Sequence, residues 1–198
     1  MTKNTSKSKN SLKGRGAQIH PNGHFSKTFT DSADSFYKDT QGVRTKVIEV
    51  RAKSIVNHVP SPDIRMDYSM NPYQGCEHGC VYCYARNTHA YHDMGTGIEF
   101  ESKIIAKMNT AELLRDYINR TSWNASPIML SGNTDCYQPI ERKYELTHCA
   151  LKVFLEAKHP VGIITKNALI LRDLPILRSL AELGLIQVVI SITTANES

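Results

Sequence analysis

The sequence predicts a parallel α/β fold, built as part of a (β/α) barrel with about four parallel strands. Two observations predict it. From about Met66 onward, short β-type runs alternate with segments of helical periodicity. The last apolar runs are continuous rather than alternating, the pattern of parallel strands covered on both faces.

The elements follow in order. Residues 1–45 are rich in Ser, Thr, Asn, Lys and Gly and poor in large apolar side chains. Such a stretch cannot offset its ordering entropy, so a flexible basic lead-in is expected there and a core domain over 46–198. Val47, Ile48 and Val50 open the apolar pattern, and Pro60 and Pro62 mark an irregular connection. Met70 to Gly75 reads as a first strand running straight into a cysteine loop. Asn109, with Glu112 three residues later, gives a capping-box signal for a helix carrying Leu113, Leu114, Tyr117 and Ile118.

Pro127 to Leu130 is a second strand, ending in Ser131, Gly132 and Asn133. Cys149, Ala150, Val153, Phe154 and Ala157 recur at helical spacing, which places a helix between Glu141 and Lys158 with Cys149 on its apolar stripe. Val161 to Thr165 is a third strand by its β-branched content. Asp173 is expected to cap a third helix, with Ile176, Leu177, Leu180 and Leu183 on one face and Gly184 at its stop. Gln187 to Ile192 is the fourth strand. A closed barrel of this kind takes eight units and about 250 residues. The expectation is therefore a chain truncated before closure, with an open apolar edge at its last strand.

Composition narrows the class. With 198 residues, 40% of them hydrophobic, the chain can bury one sizeable core. No apolar run approaches the roughly 20 residues of a membrane span, and no apolar h-region follows the basic N-terminus. Five cysteines is an odd count, and three fall within eight residues. That suits metal or cluster ligation in a reducing compartment, so a cytoplasmic location is expected. The formal charge of +5 resides in Lys3, Lys7, Lys9, Lys13 and Arg15, where no acid interrupts, and the rest is balanced. The core thus lacks the basic stripe of a duplex binder, and the tail reads as solvated with phosphate contact as the alternative.

The chemistry sits in the loop Cys76-Glu77-His78-Gly79-Cys80-Val81-Tyr82-Cys83. Three thiolates on one glycine-containing loop can take three irons of a 4Fe-4S cluster and leave the fourth iron open for a small molecule. Two other readings stay open. Zinc completed by His78, His89 or His92 is one, although a second short Cys-x-x-Cys-like element is missing. A thioredoxin-like pair at Cys80 and Cys83 is the other, and it leaves Cys76 unexplained. His89 and His92 otherwise read as surface or supporting residues, and Asp135, Glu141 and Arg142 as residues that cap a helix and hold the site.

The cysteine spacing, with Tyr82 before the last cysteine, resembles the radical S-adenosylmethionine (SAM) superfamily. Asn71-Pro72-Tyr73, Tyr84-Ala85-Arg86, Thr134 to Glu141, Ile164-Thr165-Lys166 and Ser191 to Thr194 resemble its spore photoproduct lyase-like branch. The resemblance implies a radical SAM type of partial barrel and a 4Fe-4S cluster on Cys76, Cys80 and Cys83. It also implies reductive cleavage of S-adenosyl-L-methionine to a 5′-deoxyadenosyl radical, fed by an electron donor such as flavodoxin or ferredoxin.

By the same resemblance Tyr82 is expected near the adenine, Ser131, Gly132, Asn133 and Asp135 at the methionine amino group, and Lys166 and Ser191 at the carboxylate or ribose. Gly132 and Asn133 depart from the commonest Gly-Gly-Glu form at that segment. Cys136, just past a strand end, is expected to face the pocket as a candidate hydrogen-atom donor. The branch makes a nucleic-acid-related molecule one candidate substrate and leaves the substrate itself open. A noncatalytic iron-sulfur or zinc module that binds a partner through an open sheet edge is the competing class.

Overall fold

The computed structural model describes residues 16–17, 44–61, 63 and 66–193. The expected flexible lead-in lies almost wholly outside the described residues. In chain order the elements are β1 (Lys46–Val50), β2 (Val56–His58), β3 (Tyr68–Met70), β4 (Tyr73–Gln74), a 3-10 segment (Tyr84–His92), α1 (Ile98–Ser102), β5 (Lys103–Lys107) and α2 (Thr110–Ile118). There follow β6 (Ile128–Leu130), α3 (Glu141–Tyr144), α4 (Leu146–Glu156), β7 (Val161–Thr165), a 3-10 turn (Ala168–Asp173), α5 (Leu174–Glu182) and β8 (Ile186–Ile190).

Two sheets form. The larger has the order β2-β3-β6-β7-β8, and β3, β6, β7 and β8 run parallel, the four parallel strands expected from the sequence. β2 joins its edge antiparallel. The smaller sheet sets β5 between a parallel β1 and an antiparallel β4. The main core lies where α2, α4 and α5 cover the large sheet, with Met70, Ile128, Leu130 and Ile163 of the strands against Leu114, Leu151, Phe154 and Leu180 of the helices. β8 pairs only with β7 among the described residues, and its Val188, Val189 and Ile190 are about half exposed.

Several expectations are corrected. The strand read over Met70 to Gly75 is two strands in different sheets. Pro72 has no N–H to give a ladder, and the Asn71 amide takes over, donating to the Thr134 carbonyl and accepting from the Tyr73 N–H at 3.1 Å. Asn109 stands before α2, but its side chain clasps the backbone of Ala52, accepting at 2.9 Å and donating at 3.0 Å. Glu112 pairs with Arg51 at 2.7 Å, so no capping box closes. Asp173 precedes α5 without capping it, because its carboxylate is sunk among Tyr137, His148 and Arg172.

β5 was not foreseen, although Ile104, Ile105 and Ala106 are all buried. Its run is too short and too flanked by charge to separate from the helix before it. Gly184 ends α5 as expected: it adopts φ +68°, and the next N–H, of Leu185, returns to the Leu180 carbonyl at 2.9 Å.

Candidate functional site

Parallel register decides which sequence-distant residues meet. Met70 lies beside Leu130, Leu130 beside Ile163, and Thr165 beside Ile190. The segments that follow each strand therefore emerge along one edge, the place where parallel α/β sheets gather their ligands. There the cysteine loop, Ser131 to Asp135, Lys166 and Ser191 come out as neighbours.

Asp135 joins two of these segments. Its carboxylate accepts from the Thr165 hydroxyl at 2.7 Å, the Lys166 N–H at 3.0 Å and the Tyr137 N–H at 2.9 Å, so the end of β7 is fixed to the turn after β6. Ser131 reverses the chain at φ +70° and accepts from the Cys136 N–H at 2.7 Å. The Gly132 carbonyl accepts from the Tyr84 hydroxyl at 2.8 Å, which ties this turn to the far side of the cysteine loop. Asn133 is half-buried beside it, and Ser191 is exposed, its N–H donating to the Thr165 carbonyl at 2.9 Å.

Lys166 then reaches across the gap. Its ammonium donates to the Cys80 sulfur at 2.7 Å and to the Tyr82 hydroxyl at 3.2 Å, and lies 5.4 Å from the centre of the Tyr82 ring. Burial pulls this lysine down, but the contacts with Cys80 and Tyr82 outweigh it and raise its pKa above the ordinary value. Cys76 is buried, which pushes its thiol up to about 12, and its sulfur lies 3.4 Å from His78 Nδ1. The other ring nitrogen of His78 meets the Asn167 amide at 3.1 Å, and burial holds this imidazole below its ordinary value. Cys83 packs against Cys76, Ala85 and Phe100, and all five cysteines are free thiols.

The loop is seated from below by residues that its own sequence does not announce. Gly75 turns with φ +79°, and a Cβ there would meet His89, Lys103 and Phe100 at 2.9 Å. Arg86 donates to the Cys80 carbonyl at 2.8 Å and pairs with Glu101, whose side chain is fully buried. The same carboxylate accepts the N–H groups of Gly16 at 3.2 Å and Ala17 at 2.9 Å, which brings that short piece of the N-terminal region against the loop. A Cβ at Gly16 would meet the Gly79 carbonyl oxygen at 2.0 Å. Sequence reasoning singled out neither Glu101 nor this contact; one acid between Phe100 and Ser102 carries no periodic signal.

Three expectations about side chains change. Cys136 does not face a pocket: it is fully buried in the main core, because the bond from its N–H to Ser131 folds the turn inward. His89 is fully buried rather than at the surface, with Nε2 2.9 Å from the Lys103 carbonyl, whereas His92 is exposed. Cys149 is half-buried at the rim of its helix stripe. Glu141 is buried and accepts from the Tyr73 hydroxyl, the Thr147 N–H and Arg172, while Arg142 is exposed.

The radical SAM superfamily model matches residues 70–198, the span that holds the cysteine loop, the last residue of β3 and the whole of β6, β7 and β8. The chain belongs to the radical SAM superfamily. It is 36% identical over 149 residues to uncharacterized proteins of Mycobacterium bovis and Mycobacterium tuberculosis, covering 75% of this chain and 44% of each relative. An uncharacterized protein of Methanocaldococcus jannaschii is 29% identical over 144 residues, covering 72% of this chain and 51% of that protein. The chain thus spans about half or less of the length of these relatives. No solved structure matches it.

Radical SAM proteins generally use a 4Fe-4S cluster and SAM, and the donor set in this radical SAM domain fits that pair. Cys76, Cys80 and Cys83 lie on one loop, and three thiols so placed match a cubane, whose corners are separate irons taking one thiolate each. The ammonium of Lys166 and the open turn at Ser131 to Asn133 stand next to that loop. Among the described residues no helix is long and apolar enough to cross a membrane.

Proposed function

We propose that this chain holds the cluster-bearing part of a radical SAM enzyme, with Cys76, Cys80 and Cys83 as the iron ligands. The observation that carries the reading is the 2.7 Å approach of Lys166 to Cys80, which joins the end of β7 to a loop 86 residues away. A cation at that distance from a cluster ligand is where the carboxylate of a bound SAM would need its counter-charge. When bound, the cluster supplies the electron that splits SAM into methionine and a 5′-deoxyadenosyl radical.

This chain's own residues have binding and positioning roles in that reading. Lys166 pairs with the SAM carboxylate, and the exposed ring of Tyr82 offers a face to the adenine. Ser131, Gly132 and Asn133 line the amino group, and Ser191 lies toward the ribose. Asp135 orients Lys166 through its backbone N–H. Cys136 is not carried forward as a hydrogen-atom donor, since its thiol is enclosed by the core.

The reading extends to a cytoplasmic protein fed by a flavodoxin- or ferredoxin-like donor, with a core over 46–198 of the spore photoproduct lyase-like branch. A nucleic-acid-related molecule is one substrate class this branch allows, and the near-neutral core offers no basic stripe for a duplex. The test is anaerobic reconstitution with iron and sulfide, then dithionite and SAM: 5′-deoxyadenosine is expected from the wild type and none from Cys80→Ala. An iron-loaded chain that leaves SAM intact sinks the proposal. The half-exposed apolar row of Val188, Val189 and Ile190 favours the second reading, a noncatalytic module that pairs a partner strand on β8. That reading would be supported by iron uptake without cleavage.

A further inference from the structure

Gln138 lies two residues past Cys136, on the turn that leads to α3, and it is fully buried. Its amide spans a single residue of the cysteine loop. Nε2 donates to the Gly75 carbonyl at 3.0 Å, and Oε1 accepts from the Glu77 N–H at 3.1 Å. A carbonyl can only accept and an N–H can only donate, so the two partners fix which end of the amide points where. The groups engaged are those on either side of Cys76. On the opposite edge the Cys76 N–H donates to the Phe100 carbonyl at 2.9 Å. The backbone of Cys76 is thereby held from both edges, as a residue in the middle of a sheet is.

The clamp is mounted on the sheet and not on the loop. Just before Gln138, the Tyr137 N–H donates to Asp135 and the Tyr137 hydroxyl to Asp173 at 3.0 Å. Just after it, the Glu141 N–H returns to the Gln138 carbonyl at 2.9 Å. Asp135 is in turn fastened to Thr165 and Lys166. One rigid turn therefore sets both the position of Cys76 and that of the lysine near Cys80.

We infer that Gln138 is the positioning residue for Cys76: it fixes the backbone of the first cluster ligand relative to the end of β7. The inference rests on the cluster reading for its chemistry, while the clamp itself is a property of the apo chain. Without Gln138, Cys76 remains in the sequence but its sulfur loses its fixed place, so cluster assembly and the symmetry of the assembled cluster both suffer.

The test compares full-length wild type, Gln138→Leu, Gln138→Glu and Cys76→Ala in two arms. In the apo arm, iodoacetamide labelling is followed cysteine by cysteine by mass spectrometry. Gln138→Leu, which removes both bonds, is expected to speed labelling of Cys76 by roughly tenfold or more while buried Cys136 stays protected. Protection of Cys136 shows that the core is intact. If Gln138→Leu labels Cys136 as well, Gln138→Glu takes its place: it retains the acceptor for Glu77 and loses the donor for Gly75, and a smaller rise at Cys76 is expected.

In the second arm, iron and sulfide per chain and the electron paramagnetic resonance of the reduced cluster are measured after reconstitution. Wild type is expected to approach ~4 irons, Gln138→Leu to hold less than half of that with shifted g values, and Cys76→Ala less still. A shift in g values reports the ligand geometry, which a general loss of stability would not move. Equal labelling of Cys76 and an unchanged cluster signal in both Gln138 variants overturn the inference. A wild type that takes up no iron or sulfide overturns the cluster reading, and the labelling arm then decides by itself whether Gln138 holds Cys76.

Discussion

The two ends of the five-stranded sheet are held together by different chemistry. At the carboxyl ends, where the cysteine loop lies, the ties are charges and hydrogen bonds: Arg86 with Glu101, Asp135 with Thr165 and Lys166, Arg172 with Glu141 and Asp173. At the amino ends the ties are rings. Tyr68 and Tyr117 stand edge-on to Trp123, Trp123 meets His159 nearly coplanar, and Phe154 tilts against the same imidazole. Polar ring atoms there are spent on one another: the Trp123 N–H donates to His159 Nε2 at 2.8 Å. A hydrogen-bonded scaffold holds backbone in place and leaves the half-buried Cys80 and Cys83, the Lys166 ammonium and the exposed Tyr82 at the rim, which is what a binding edge needs.

The largest expected effects form a matched pair across that divide. Glu101→Ala strands the Arg86 charge beneath the loop and should cost about 3–5 kcal/mol in denaturant unfolding. Phe154→Ala removes a ring from the main core and should cost a similar amount, about 3–5 kcal/mol. The two should part in iodoacetamide mapping, with Glu101→Ala opening the loop cysteines and Phe154→Ala leaving their relative rates unchanged. Equal mapping of both would mean that the ends are not separable.

A smaller effect is expected at the binding edge itself. Lys166→Met removes the charged contact to Cys80 and the counter-charge proposed for SAM, which should weaken SAM binding by roughly tenfold or more. Iron content after reconstitution should hold, since no ligand is changed. Isothermal titration of the reconstituted protein with SAM measures the first and iron analysis the second. A full loss of iron with intact SAM affinity would assign Lys166 to the cluster instead.

The smallest effect is a pH dependence at the ring end. Trp123 donates to His159 Nε2 at 2.8 Å, so that nitrogen must carry no proton, and Nδ1 faces the Pro160 carbonyl at 2.9 Å. Burial lowers the His159 pKa below its ordinary value of 6.5, against a small opposing pull from the Pro160 carbonyl. Above that value both folded and unfolded chains hold the ring neutral, and its contribution is complete. As pH falls through 6.5 the unfolded chain takes up the proton first, so stability declines until the folded ring protonates as well. The chain has one tryptophan, and its fluorescence reports this contact directly. His159→Phe should flatten the stability profile in that window.

Much of this was legible before the structure. The apolar runs marked β6, β7 and β8, although β8 lies about half exposed at the sheet edge, whereas the strand expected over Met70 to Gly75 overlapped β3 only at Met70. Gly184 marked the end of α5, since only a glycine takes that turn without cost. The cysteine spacing marked the loop, because ligands on one loop must be close in sequence. What escaped was whatever depends on residues far apart in the chain. Asn71, Asn109 and Asp173 were read as local strand or cap residues, and each instead spends its side chain on a distant backbone or buried partner. Local propensity had no means of weighing those alternatives.

The sequence by itself determined the chemistry available at the loop: three thiols, their order, and the strands that bring polar residues to one edge. The tertiary structure alone decided how that chemistry is held. It put Glu101 under Arg86, Lys166 on Cys80, Gln138 across Cys76, and Cys136 into the core. The reason is physical: spacing along a chain specifies which donors are near one another, whereas burial and hydrogen-bond partnership are set only when separate segments close on the same volume.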